Sequence, residues 1–155
     1  MKFLIIVAIA LVVFFYFKGK KKDETPVDGT KNSVKGSEAI QHARIIFKVP
    51  NELPINWASH HAGLGYVGDS AIINCEYLAS MNFETKHSWT INLLDIARYS
   101  VTRNQNNKWI RVNIHTKEGY QEYLILRENE LASFEEMFNF AVQSAKEMEE
   151  ILAQG

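Results

Sequence analysis

The chain has 155 residues, 46% of them hydrophobic and 23% charged, which is ordinary for a globular protein and excludes disorder along the whole length. Its net charge of −1 argues against a dedicated nucleic-acid binder. A single cysteine, Cys75, excludes an intramolecular disulfide and a zinc site built on thiols; it reads as a small apolar residue in a strand.

Charge is unevenly placed. Residues 1–39 hold seven Lys and four acids, whereas residues 40–155 hold ten Lys or Arg against fourteen acids, a net charge of −4. Most of that excess follows Arg127, where seven Glu face one Lys.

Residues 3–17 are an unbroken apolar run of fifteen. A helix of that length is about 22 Å long, short of a ~30 Å hydrocarbon core. Snorkelling by Lys2 and Lys18 extends the usable span to residues 1–19. The run ends in Phe14, Phe15, Tyr16 and Phe17 and continues into lysines, a poor cleavage site for a signal peptide. An uncleaved transmembrane anchor is therefore expected. Lys18, Lys20, Lys21 and Lys22 outweigh Lys2 and the α-amino group, so the positive-inside rule places the N-terminus outside and the following domain in the cytoplasm. The same four lysines are the candidate membrane-proximal basic residues, able either to touch anionic headgroups or only to set topology. Residues 20–39 are rich in Lys, Gly, Asp, Thr and Ser and read as a flexible linker with a span of ~25 Å.

Residues 40–155 form the expected domain. Arg44–Val49 reads as a short strand ended by Pro50, and residues 51–63 as a loop. Residues 65–67 and 71–78 read as strands around a turn at Gly68, Asp69 and Ser70. Further strands are expected at residues 89–92 and 98–103. Residues 109–116 alternate cleanly, with Ile110, Val112 and Ile114 on one face and Arg111, Asn113 and His115 on the other. A tight turn at Lys117, Glu118 and Gly119 leads into a partner strand at 120–126. The period then becomes helical. Ser133 and Glu136 have capping-box spacing, and Phe134, Met137, Phe138, Ala141, Val142, Ala145, Met148 and Leu152 share one stripe. The layout is α+β: about seven antiparallel strands, expected to curl into a partly open barrel, and one C-terminal amphipathic helix to cap it.

On these residues the chain resembles the pleckstrin-homology-like (PH-like) superfold, nearest its GRAM and bacterial PH-like branches. Gly65, Tyr66, Asp69, Ile72 and Ile73 are similar to the family's glycine-led second strand and its turn. Ile91, Leu93, Asp95 and Ile96 are similar to its apolar and Asp-Ile signature before a strand. Ile110, Val112, Ile114, Gly119, Tyr123 and Ile125 correspond to the last hairpin, and residues 134–152 to the capping helix. The resemblance implies a fold with many functions and no fixed catalytic residues. Inositide-binding members carry a Lys-x(n)-Arg-x-Arg pattern; here Arg44 and Lys48 have no Arg-x-Arg after them.

No catalytic, cofactor or metal residues stand out. Residues 63–68 match G-x-G-x-x-G, but a loop precedes them and a strand follows, the wrong context for a dinucleotide fingerprint. His60 and His61 are adjacent and read as solvated loop residues rather than ligands of one ion. Trp57, Trp89 and Trp109 could make a stacking platform, with core packing the simpler reading. Arg98, Arg103, Lys108 and Arg111 are the candidate ligand patch, against solvated strand faces. The expectation is a membrane-tethered, non-enzymatic module that binds a protein partner or another copy of itself. Anionic lipid headgroup binding is the alternative, and a hydrolase with an unrecognised site the distant third.

Overall fold

The computed structural model describes residues 34–61, 68–103, 105 and 108–155, with side chains from residue 38 onward. All belong to the unit Lys31–Gly155. The expected anchor, the basic residues Lys18, Lys20, Lys21 and Lys22, most of the linker, the expected strand at 65–67 and the G-x-G-x-x-G match up to Val67 lie outside the described residues. Among the described residues no helix is long and apolar enough to cross a membrane.

The described elements run α1 (Val34–Phe47), β1 (Ile55–Ser59), β2 (Ser70–Asn74), β3 (Tyr77–Met81), β4 (Ser88–Asn92), a 3-10 turn at Leu93–Asp95, β5 (Ile96–Arg103), β6 (Trp109–Thr116), β7 (Gln121–Arg127), a 3-10 turn at Glu128–Glu130, and α2 (Leu131–Ala153). The fold is α+β. Two antiparallel meanders, β1-β2-β3-β4 and β5-β6-β7, are closed by the C-terminal helix. Trp57, Ala71, Ile73 and Leu78 from the first sheet meet Ile110, Val112, Ile114, Leu124 and Leu126 from the second, and Phe134, Phe138, Ala141 and Ala145 of α2 complete that core. The alternation expected in β6 holds: its three aliphatics are buried. Gly119 has φ 91°, with open space around the position of a Cβ, so backbone conformation alone selects glycine in that turn.

Four expectations are corrected. Arg44–Val49 is no strand; residues 34–47 are helical, starting inside the segment read as linker. The β-branched pair Ile45 and Ile46 suggests a strand locally, but Ala43 and Phe47, one turn apart, dock on the outer face of the first sheet against Ile72 and Ala79, and tertiary packing overrides propensity. The loop at 51–63 contains β1, which this helix covers. Residues 71–78 are two strands, not one. Asn74 turns the chain by accepting the N–H groups of Glu76 and Tyr77, both at 2.7 Å. Covering by α1 on one side and the main core on the other buries β2 on both faces, so it reads as a continuous apolar run with no visible end. Cys75 therefore sits in that turn, half-buried, and burial pushes its thiol up. Finally, α2 starts at Leu131, not after a cap at Ser133. Glu130 Oε2 accepts the N–H of Arg127 at 3.0 Å one turn earlier, and the Ser133 hydroxyl donates to the Glu130 carbonyl.

Lys48 stops α1 in the left-handed region, φ 52°, and the Val49 N–H returns to the Arg44 carbonyl at 3.1 Å. A side chain there costs about 1 kcal/mol that glycine avoids, less the ~0.5 kcal/mol of extra chain entropy that glycine adds. Lys48→Gly should therefore raise the melting temperature slightly; a fall would show that the exposed lysine side chain contributes through contacts.

Candidate functional site

The first sheet gathers an unusual set of buried polar side chains near one end. Ser59, His61, Asp69, Ser70, Ser80 and Asn82 are all at most 8% exposed. Antiparallel register explains the meeting: Ser59 pairs with Ala71, Ala71 with Ser80, and Ser70 with Met81. Buried polar atoms need partners; Ser70 Oγ accepts the His61 N–H at 3.2 Å, and two carboxylates serve Ser59, His61 and Asn82.

Glu130 arrives from the turn before α2. Its Oε1 accepts the Ser59 hydroxyl at 2.9 Å and its Oε2 lies 3.0 Å from His61 Nε2. Ser59 Oγ is also 2.7 Å from the same nitrogen. Since the serine proton goes to Glu130, the serine oxygen accepts from His61, and one Nε2–H serves both neighbours. His61 Nδ1 is buried without a hydrogen-bond partner. Burial pushes the Glu130 carboxyl up, but the hydrogen bond and charge of His61, the Arg127 N–H and the Ser59 hydroxyl outweigh it, leaving it below its ordinary value.

Serine, histidine and a carboxylate in contact invite a nucleophile reading. The geometry opposes it. A relay needs the serine and the carboxylate on opposite ring nitrogens, so that one is deprotonated while the other is held. Here both use Nε2, and the serine hydrogen is already donated to the acid. The trio is a brace tying the end of β1 to the start of α2. Sequence reasoning missed it because Glu130 lies 69 and 71 residues after His61 and Ser59 and no local pattern joins them. The expectation that His60 and His61 are solvated is corrected: His61 is 6% exposed and half-buried His60 stacks on His42, with centroids 4.2 Å apart.

Asp69 is the second carboxylate. Its Oδ1 accepts Asn82 Nδ2 at 2.6 Å, its Oδ2 accepts the Ile125 N–H at 2.6 Å, and its own N–H donates to the Ile125 carbonyl at 2.9 Å. Asp69 thus joins the first sheet to the edge of β7. Burial pushes its carboxyl up, and the bonds from Asn82 and Ile125 with the charges of His87 and His61 offset only part of that. Gly68, beside it, has no room for a side chain: a Cβ would lie 2.3 Å from the Trp109 ring.

The three tryptophans do not form a platform. Trp57 packs edge-on to Phe134 and donates to Ser133, Trp89 donates to the Tyr123 carbonyl, and Trp109 lies edge-on to His61. Nor do the four basic residues converge. Arg103 faces the opposite side of β5 from Arg98 by strand alternation and is paired with Glu128 at 3.0 Å. Lys108 sits exposed before β6. Arg98 and Arg111 remain together on the outer face of the second sheet, where Arg111 lies 3.9 Å above the Tyr123 ring. Among the described residues no group of three or more His, Cys, Asp or Glu could hold a metal ion.

Comparison with known proteins gave no matching family model, no similar curated protein and no similar solved structure. The functional reading therefore rests on residues and geometry.

The histidine cluster makes stability pH-dependent. Burial, then the charges of His42 and His61, hold His60 below its usual value of 6.5. A depressed folded value means that its contribution is present above the unfolded value and is lost as pH falls through the folded one. Glu130 acts in the same direction below its usual 4.5. The melting temperature should fall between pH 7 and pH 5, and His60→Asn should reduce that fall; an unchanged slope would remove His60 as its source.

Proposed function

We propose that this chain is a membrane-tethered, non-enzymatic PH-like module that binds a protein partner or another copy of itself at the membrane. The four-plus-three antiparallel sheets with a closing C-terminal helix support the PH-like reading. The observation that carries partner binding is the far end of α2. Its apolar stripe packs on the core as far as Ala145, yet continues into Met148 at 45%, Ile151 at 46% and Leu152 at 72% exposure. Apolar side chains grouped on an exposed helix end mark interaction surfaces. The tether reading rests on residues 3–17 and the lysines after them.

Headgroup binding is the weaker alternative, since Arg98, Arg103, Lys108 and Arg111 form no common pocket. Crosslinking in native membranes followed by pull-down of the full chain should capture a protein, foreign or a second copy, and Met148→Asp with Leu152→Asp should reduce the yield. An absence of any crosslinked protein, together with headgroup-specific liposome binding that Arg98→Ala, Arg103→Ala and Arg111→Ala abolish, would overturn partner binding in favour of lipid.

A further inference from the structure

The outer face of the second sheet carries no acid at any of its eleven register positions, in a domain that is otherwise net acidic. β5 contributes Arg98, Ser100 and Thr102, and these pair with His115, Asn113 and Arg111 of β6. The arrangement holds one guanidinium in place. Asn113 donates to Thr102 Oγ1 at 3.2 Å, and its oxygen accepts Arg111 Nε at 3.0 Å. The Arg111 guanidinium is stacked on Tyr123, which His87 stacks in turn at 5.5 Å. With Nε and the ring fixing the plane, the two terminal nitrogens form a ready fork for a carboxylate. Arg98 is exposed four residues along the sheet, about 14 Å away by strand rise and strand spacing.

The same chain carries a surface of opposite charge at nearly the same spacing. On α2, Glu136, Gln143, Glu147 and Glu150 follow one line on the solvent side, and Gln143 Nε2 steadies Glu147 at 2.8 Å. Glu136 and Glu147 are eleven residues apart, about 16 Å along a helix. We propose that the outer face of the second sheet receives the acidic face of α2 from a second copy of this chain, with Glu136 on Arg111 and Glu147 on Arg98. The inference rests on the partner-binding reading and names the partner.

The contact is heterologous: one copy gives its sheet, the other its helix. Assembly therefore proceeds head to tail, into open rows or a ring. Exposed ion pairs contribute little each, so the contact is weak, salt-sensitive and helped by confinement to a membrane plane.

The test is charge reversal in the full chain, solubilised in detergent and followed by sedimentation velocity at low and high salt. Wild type should self-associate at low salt and lose the association at high salt. Arg98→Glu with Arg111→Glu should weaken it about tenfold or more, as should Glu136→Lys with Glu147→Lys. A chain carrying all four changes should regain it, and so should an equal mixture of the two double variants. The glutamate pair is exposed on the helix, so its reversal tests the contact even where reversing Arg111 disturbs the sheet. Double variants that associate like wild type, or a folded fourfold variant that stays monomeric, would overturn the proposal. A foreign protein crosslinked to wild type in membranes and lost from the Arg98→Glu, Arg111→Glu chain, while the chain itself stays monomeric, would overturn the second copy as occupant and leave partner binding standing. Monomeric wild type with no crosslinked protein of any kind would overturn both.

Discussion

Phe138→Asp should cost several kcal/mol, enough to unfold a domain of ordinary stability. Phe138 is 4% exposed and lies midway along α2, stacked on Phe134 at 5.5 Å and met edge-on by Tyr99 at 5.3 Å. Truncating a buried phenylalanine alone costs about 3–5 kcal/mol, and an unpaired carboxylate adds its desolvation. The hydroxyl of Tyr99, whose ring packs on Phe138, is already donated to Glu135 at 3.1 Å, so the new charge finds no free donor in Tyr99. Asn139→Asp, next in sequence but on the exposed side, should change stability by about 0.5 kcal/mol or less. Thermal melts of the two variants in residues 31–155 decide the matter. Equal melting temperatures would show that the helix stripe is not core.

The same helix shows what sequence could and could not reveal. Its stripe was legible because a 3.6-residue period is a local signal, and so was the alternation of β6, whose three aliphatics face the core while Arg111 is exposed on the other side. β2 was not separable from β3 because it is covered on both sides, and a strand buried on both faces loses its period. The helix over 34–47 was hidden by Ile45 and Ile46, whose strand preference is outweighed by packing against residues that follow 25 or more positions later. The Ser59–His61–Glu130 brace had no sequence signal, since it depends on where the turn before α2 meets the end of β1. The basic residues were legible as residue types, but their facing was not: strand alternation sends Arg103 to one side and Arg98 to the other, and a bulge between Ile96 and Arg98 shifts the register from which that parity is counted.

Asp69→Ala should destabilise by about 3 kcal/mol, a large loss for one small side chain. Asp69 is 2% exposed and uses both carboxylate oxygens, one for Asn82 Nδ2 and one for the Ile125 N–H. Alanine removes both acceptors at once. The Ile125 N–H then loses its partner at the edge of β7, where among the described residues no strand of the first sheet stands in register to replace it, and an unsatisfied buried donor costs its full desolvation. Asp69→Asn separates this from simple loss of charge. Its one carbonyl oxygen can serve only one of the two donors, while its amide nitrogen is turned against the other. Asparagine should therefore fall between wild type and alanine, at about 1–2 kcal/mol. Hydrogen exchange locates the effect: the Ile125 amide should lose protection in both variants, while the amides of β5 paired to β6 keep theirs until global unfolding. A stable Asp69→Ala protein with Ile125 still protected would show that the two sheets are held together by their shared apolar core alone, and that the carboxylate bridging them is dispensable.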